Sequence, residues 1–116
     1  MKENRKHLRL QTSIGIIYTL VKKHKKPRAT HSLVRDISGG GLRVIAKETL
    51  RSGELLEMEI QIPHLEDSIH AVGEVVWFFH WKEKDQEIRE AGVRFRDIEP
   101  TDLHRILEYV YTIGIG

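Results

Sequence analysis

From Gln11 to Val21 every second residue is suited to a buried face: Thr12, Ile14, Ile16, Tyr18 and Leu20 alternate with Ser13, Gly15, Ile17, Thr19 and Val21. A period of two, rich in β-branched side chains, demands a strand with one face on a core. The same alternation returns from Glu54 to Ile62 through Leu56, Met58, Ile60 and Ile62, where Pro63 ends it. It returns again from Ser68 to Phe79 through Ile69, Ala71, Gly73, Val75 and Trp77, with Gly73 a candidate bulge or bend. Thr30 to Ile37, Gly41 to Ala46 and Ala91 to Phe95 supply three more short strands, making six. Six strands joined by turns in a chain of 116 residues predict closure into one antiparallel barrel.

Three connections are expected to be exposed. Lys22-Lys23-His24-Lys25-Lys26-Pro27-Arg28 combines mutually repelling cations with a proline and reads as a solvated hairpin loop. Glu48 to Gly53 is turn-rich, and His80 to Arg89 is charged without a period. The tail then changes period. Leu103, Ile106, Leu107, Val110 and Tyr111 form one face of an amphipathic helix over about residues 99–113, with Pro100 in its first turn, Glu99 and Asp102 at its positive end and Gly114 placed to stop it. This stripe is expected on one mouth of the barrel or, alternatively, against a second subunit.

Composition excludes several chemistries. There is no cysteine, so disulfides, thiol nucleophiles and Cys-ligated zinc are ruled out. The seven histidines show no metal-ligand spacing, no nucleophile–base arrangement stands out, and the triple glycine precedes a strand rather than the helix of a phosphate-binding loop. No catalytic role and no cofactor are therefore expected. The charged N-terminus leads into no signal-peptide core, and no apolar run reaches membrane-spanning length, which reads as a cytoplasmic protein. Net charge is only +2, yet residues 1–36 hold ten Lys and Arg against two acids, leaving nine basic and fifteen acidic residues in the remainder. An anionic partner recruited by the N-terminal third follows, phosphate first among candidates.

Two short motifs give that partner a place. Arg35-Asp36-Ile37-Ser38-Gly39-Gly40-Gly41 sits between two apolar runs; Asp and Ser shape turns, and three glycines permit positive φ and close approach to the main chain. Upstream, Arg5-Lys6-His7-Leu8-Arg9 sets two guanidinium groups four residues apart in a segment with no apolar period. R-x-x-x-R followed after one strand-length segment by D-x-S-x-x-G resembles the PilZ domain, a bacterial receptor module for cyclic di-GMP. Gly73-Glu74-Val75-Val76-Trp77 and Ala91-Gly92-Val93-Arg94-Phe95 resemble the family's later strands.

The resemblance implies a six-stranded antiparallel β-barrel with a C-terminal helix, divided into an N-terminal arm over residues 1–10 and a single domain over 11–116. It implies a non-catalytic receptor in which Arg5 and Arg9 grip phosphate and guanine, while Asp36, Ser38 and Gly41 form the motif on the barrel surface. Lys6, Gly39, Gly40 and Trp77 are secondary candidates, Trp77 by stacking on a guanine. Asn4 and Lys6 stand where many relatives carry arginine, and Leu8 where proline or an aromatic is frequent, which bears on affinity and on whether one nucleotide or two bind. Arginine suits the chemistry because its planar fork makes two parallel hydrogen bonds to phosphate or to guanine O6 and N7, while Asp36 can accept from guanine N1 and N2. Ligand is expected to order the arm and so signal to an unidentified effector protein, the chain being monomer or homodimer. One alternative is a protein-interaction module of the same fold that binds no nucleotide. Another is a single-stranded nucleic acid binder using the 22–28 loop, against which stands the loop's lack of aromatic residues.

Overall fold

In a computed structural model of the chain, residues 9–22 and 26–115 are described. Six strands, β1 (Arg9–Leu20), β2 (Ala29–Ser38), β3 (Gly41–Ile45), β4 (Leu55–Gln61), β5 (Ile69–Glu83) and β6 (Gln86–Ile98), precede one helix, α1 (Pro100–Ile115). The strands close in the order β1-β2-β3-β6-β5-β4, every neighbouring pair antiparallel. Closure joins β1 to β4, from Gly15 opposite Gln61 to Leu20 opposite Leu56, and leaves no free edge along that seam.

The expected alternation fills the interior. Ile14, Ile16 and Tyr18 of β1, Leu42 and Val44 of β3, and Leu56, Met58 and Ile60 of β4 are buried in one core with Ile69, Val75, Ala91 and Val93. Tyr18 reaches across this core so that its hydroxyl accepts a hydrogen bond from the Lys47 backbone N at 3.0 Å. The helix packs on β1 and β2, burying Ile106 and Val110. Its first backbone bond runs from Leu103 N to Glu99 O, which sets the helix start where Pro100 predicts it.

Four local expectations change. The charged stretch from His80 to Arg89 is a β-hairpin: β5 runs on to Glu83, β6 starts at Gln86, and Lys84 and Asp85 turn between them with φ of 47° and 64°. Strand pairing there is two-stranded and solvated on both faces, so no alternation advertises it. Trp77 is out of phase with Ile69, Ala71 and Val75, because a register shift between Val75 and Trp77 turns Phe78 toward the core and Trp77 outward. A second shift falls between Val72 and Gly73, where a bulge is predicted. On the helix, Tyr109 packs on the core whereas Tyr111 is exposed, and α1 continues past Gly114. Arg9 and Leu10, assigned to the arm by sequence, are the first residues of β1.

Candidate functional site

Strand register brings the D-x-S-x-x-G residues into two cross-strand rows on the outer barrel wall. Along β3, Leu42 and Val44 point into the core, so Gly41, Arg43 and Ile45 belong to the outer face. In the first row Arg9 pairs with Ser38, Gly41 with Arg94, and Arg94 with Glu74. In the second, Gln11 pairs with Asp36, Asp36 with Arg43, Arg43 with Gly92, and Gly92 with Trp77. Two of these positions are glycines, Gly41 paired with Arg94 and Gly92 beneath the indole of Trp77.

Asp36 and Ser38 lie at the end of β2 rather than in a loop; Gly39 and Gly40 alone make the bend. The Ser38 hydroxyl accepts from Gly40 N at 3.2 Å and donates to Gly41 O at 3.4 Å, bracing the bend from inside. Left-handed φ values among the described residues occur at His64, Lys84, Asp85 and Gly53, so the motif glycines are not placed there by positive φ. At Gly41 the reason is steric. A Cβ there would run into the Val93 carbonyl oxygen and lie 2.9 Å from the Arg94 Cα.

Asp36 is almost fully buried at 2% exposure and accepts a hydrogen bond from Arg43 Nε at 2.6 Å. Arg43 also donates through Nη1 to Glu90 Oε1 at 3.0 Å, so one guanidinium bridges two carboxylates from β2 and β6. Burial by itself would depress the Arg43 pKa, but the hydrogen bonds and charges of Asp36 and Glu90 prevail and raise it. Arg43 and Glu90 escape a motif search because no short spacing links them. The available signal is that Arg43 sits at an outward position between two core residues.

A further charged group lies beside Gly41. Glu74 Oε1 accepts from Arg94 Nη2 at 3.0 Å and from Arg96 Nη1 at 2.7 Å. Hydrogen bonds from Arg94 and then Arg96 hold the Glu74 carboxyl below its ordinary pKa of 4.5. Trp77 lies over Gly92, where an added Cβ would collide with the indole, and its ring centroid is 5.2 Å from that of Phe79. Of the residues expected to bind ligand, Asp36, Ser38, Gly39, Gly40, Gly41 and Trp77 therefore share one surface. The backbone of Arg9 joins them opposite Ser38. Arg5 and Lys6 lie outside the described residues, as do residues 23–25 of the basic loop.

Among the described residues no group of three His, Asp or Glu side chains could hold a metal ion, and no helix is long and apolar enough to cross a membrane.

The chain is a closed six-stranded antiparallel barrel with one C-terminal helix, carrying D-x-S-x-x-G where β2 turns into β3. The family model for the PilZ domain matches residues 3–112, and the chain belongs to that family. No curated protein is matched. Among solved structures, the Bacillus subtilis inhibitor of motility MotI/DgrA aligns with a TM-score of 0.78 at 20% identity, over 98% of this chain and 53% of that one. The PilZ domain of YcgR from Escherichia coli, solved with c-di-GMP, aligns with a TM-score of 0.75 at 13% identity, over 97% and 93%. The MrkH–c-di-GMP complex of K. pneumonia aligns at 0.77 and 15% identity, over 99% and 53%. The chain thus spans about half the length of MotI and MrkH and nearly all of the YcgR PilZ domain. At these identities the likeness is one of fold.

Proposed function

We propose that the chain is a non-catalytic receptor for cyclic di-GMP. Arg5 and Arg9 grip phosphate and guanine, Asp36 accepts from a guanine Watson–Crick edge, Ser38 holds the bend, and Gly41 leaves the backbone uncovered. The observation that carries this reading is the pairing of Arg9 with Ser38, because it sets the backbone of the last residue of R-x-x-x-R beside the strand bearing Asp36 and Ser38. Family membership supports it, as do the c-di-GMP complexes of two proteins sharing the fold. Ligand closing the segment before β1 onto this surface gives a signal that a separate effector protein can read.

Titration calorimetry of the full chain with cyclic di-GMP, with GTP and cyclic GMP as controls, tests the reading. Arg9→Ala and Asp36→Ala each remove a charged contact and are expected to weaken binding by about 2 kcal/mol, roughly thirtyfold. Wild-type affinity in both variants would overturn it.

A second reading, a PilZ-type protein-interaction module indifferent to nucleotide, draws on the β5–β6 hairpin, where Phe79 is 61% and Trp81 40% exposed. Unchanged amide spectra at saturating cyclic di-GMP would favour it.

A further inference from the structure

Gly41 and Arg94 are direct partners across β3 and β6. The contact between these strands continues into the bend, since Phe95 N donates to Gly40 O at 2.9 Å. Arg94 therefore flanks the glycine bend on the side opposite Ser38. Its side chain is 61% exposed and, among the described residues, meets one oxygen of Glu74, the same oxygen that Arg96 approaches more closely. Two guanidinium groups on one carboxylate leave a local charge of +1. Exposed ion pairs of this kind contribute little to a fold, so stability does not account for the arrangement.

We propose that Arg94 is a further ligand-binding residue of this site: a guanidinium that leaves Glu74 to Arg96 and takes a phosphodiester of the bound cyclic dinucleotide. The proposal rests on the receptor reading above and adds a residue to it. Position favours Arg94, because Gly41 between it and Ser38 has no side chain to stand in the way. Chemistry favours it, because an arginine fork binds a phosphodiester with two parallel hydrogen bonds. Electrostatics favours it as well: a dianion approaching the cluster meets net positive charge, and Arg96 at 2.7 Å keeps the Glu74 carboxylate compensated once Arg94 has moved.

The test is calorimetric titration of the full chain with cyclic di-GMP for wild type, Arg94→Ala, Arg94→Lys and Arg105→Ala. Arg105 lies on α1 beside Asp102, so its removal costs the same charge at a distance from the bend. Arg94→Ala is expected to weaken binding at least about tenfold and Arg94→Lys to recover part of the loss. Arg105→Ala should stay within about twofold of wild type, and the Arg94→Ala deficit should shrink as salt is raised. Wild-type affinity in Arg94→Ala, or equal losses in Arg94→Ala and Arg105→Ala, would overturn the role of Arg94 while leaving the receptor reading intact. No binding by wild type would overturn the receptor reading itself, and this inference with it.

Discussion

Arg43 and Asp36 are cross-strand partners whose side chains meet at 2.6 Å, and the same guanidinium reaches Glu90 on the next strand at 3.0 Å. The motif aspartate is thus held in place by a residue outside the motif. Arg43→Ala takes the cation away from two carboxylates that are at most 5% exposed. It should cost about 3 kcal/mol in urea unfolding, with Arg43→Lys recovering only part because a point charge cannot serve both oxygens. A loss below about 1 kcal/mol would show that the bridge does not organise this surface.

Gly41→Ala tests the close approach of β3 to β6. The new methyl meets the backbone carbonyl of Val93, which cannot move without opening the barrel. A loss of about 3 kcal/mol is expected from thermal or denaturant melts. Gly53→Ala is the informative contrast, since no neighbour crowds that position and only its φ of 95° resists the change.

Gly92→Ala should displace the Trp77 indole from its bed on β6. A red shift of tryptophan emission with a stability loss of about 1–2 kcal/mol is expected, and an unshifted spectrum would show that the indole does not rest there.

Tyr18 sets the alkaline limit. Burial is the main cause raising its hydroxyl above the ordinary 10.0, so the folded chain keeps this proton where the unfolded chain has released it. Stability should fall as pH rises past 10. Tyr18→Phe should flatten that decline while costing about 1 kcal/mol at neutral pH, since Lys47 N loses its acceptor. Urea midpoints at pH 7 and above pH 10 check both signs.

Glu74 offers a readout at the opposite end of the pH scale. Its carboxyl is held below 4.5 first by Arg94 and then by Arg96, so this interaction helps the folded state above the ordinary carboxylate range and is lost as pH falls through the depressed value. NMR titration of the Glu74 side chain should show its pKa moving up toward 4.5 in Arg94→Ala.

Most of the barrel was legible because burial on one face writes itself as alternation: Leu56, Met58 and Ile60 of β4, with Ile62 just past its end, read as one buried face and are one. Legibility failed where that condition failed. From His80 to Arg89 neither face of the ribbon is covered, and side chains such as His80, Glu87 and Arg89 pair with each other instead of alternating with apolar residues. At Trp77 a bulge inverted the phase, and a period-two count has no means of registering one extra residue. The site divided along similar lines. Asp36, Ser38 and Gly41 are close in sequence and were found as a motif, whereas Glu90 and Arg94 are neighbours of that motif only through the pairing of β3 with β6.

The seam between β1 and β4 has a kinetic consequence. Hairpin contacts such as Ile37 with Leu42 need little chain to be gathered, but Gly15 meets Gln61 only after the two intervening strands, β2 and β3, have been laid down. Closing so long a loop removes much conformational entropy before any contact compensates it, and the pairing of β3 with β6, Gly41 opposite Arg94, closes a longer one still, so these two non-local pairings should be the last parts of the barrel to zip and the first to open. Folding in milliseconds to seconds is expected, with hydrogen exchange along β1 the place to see the staves part.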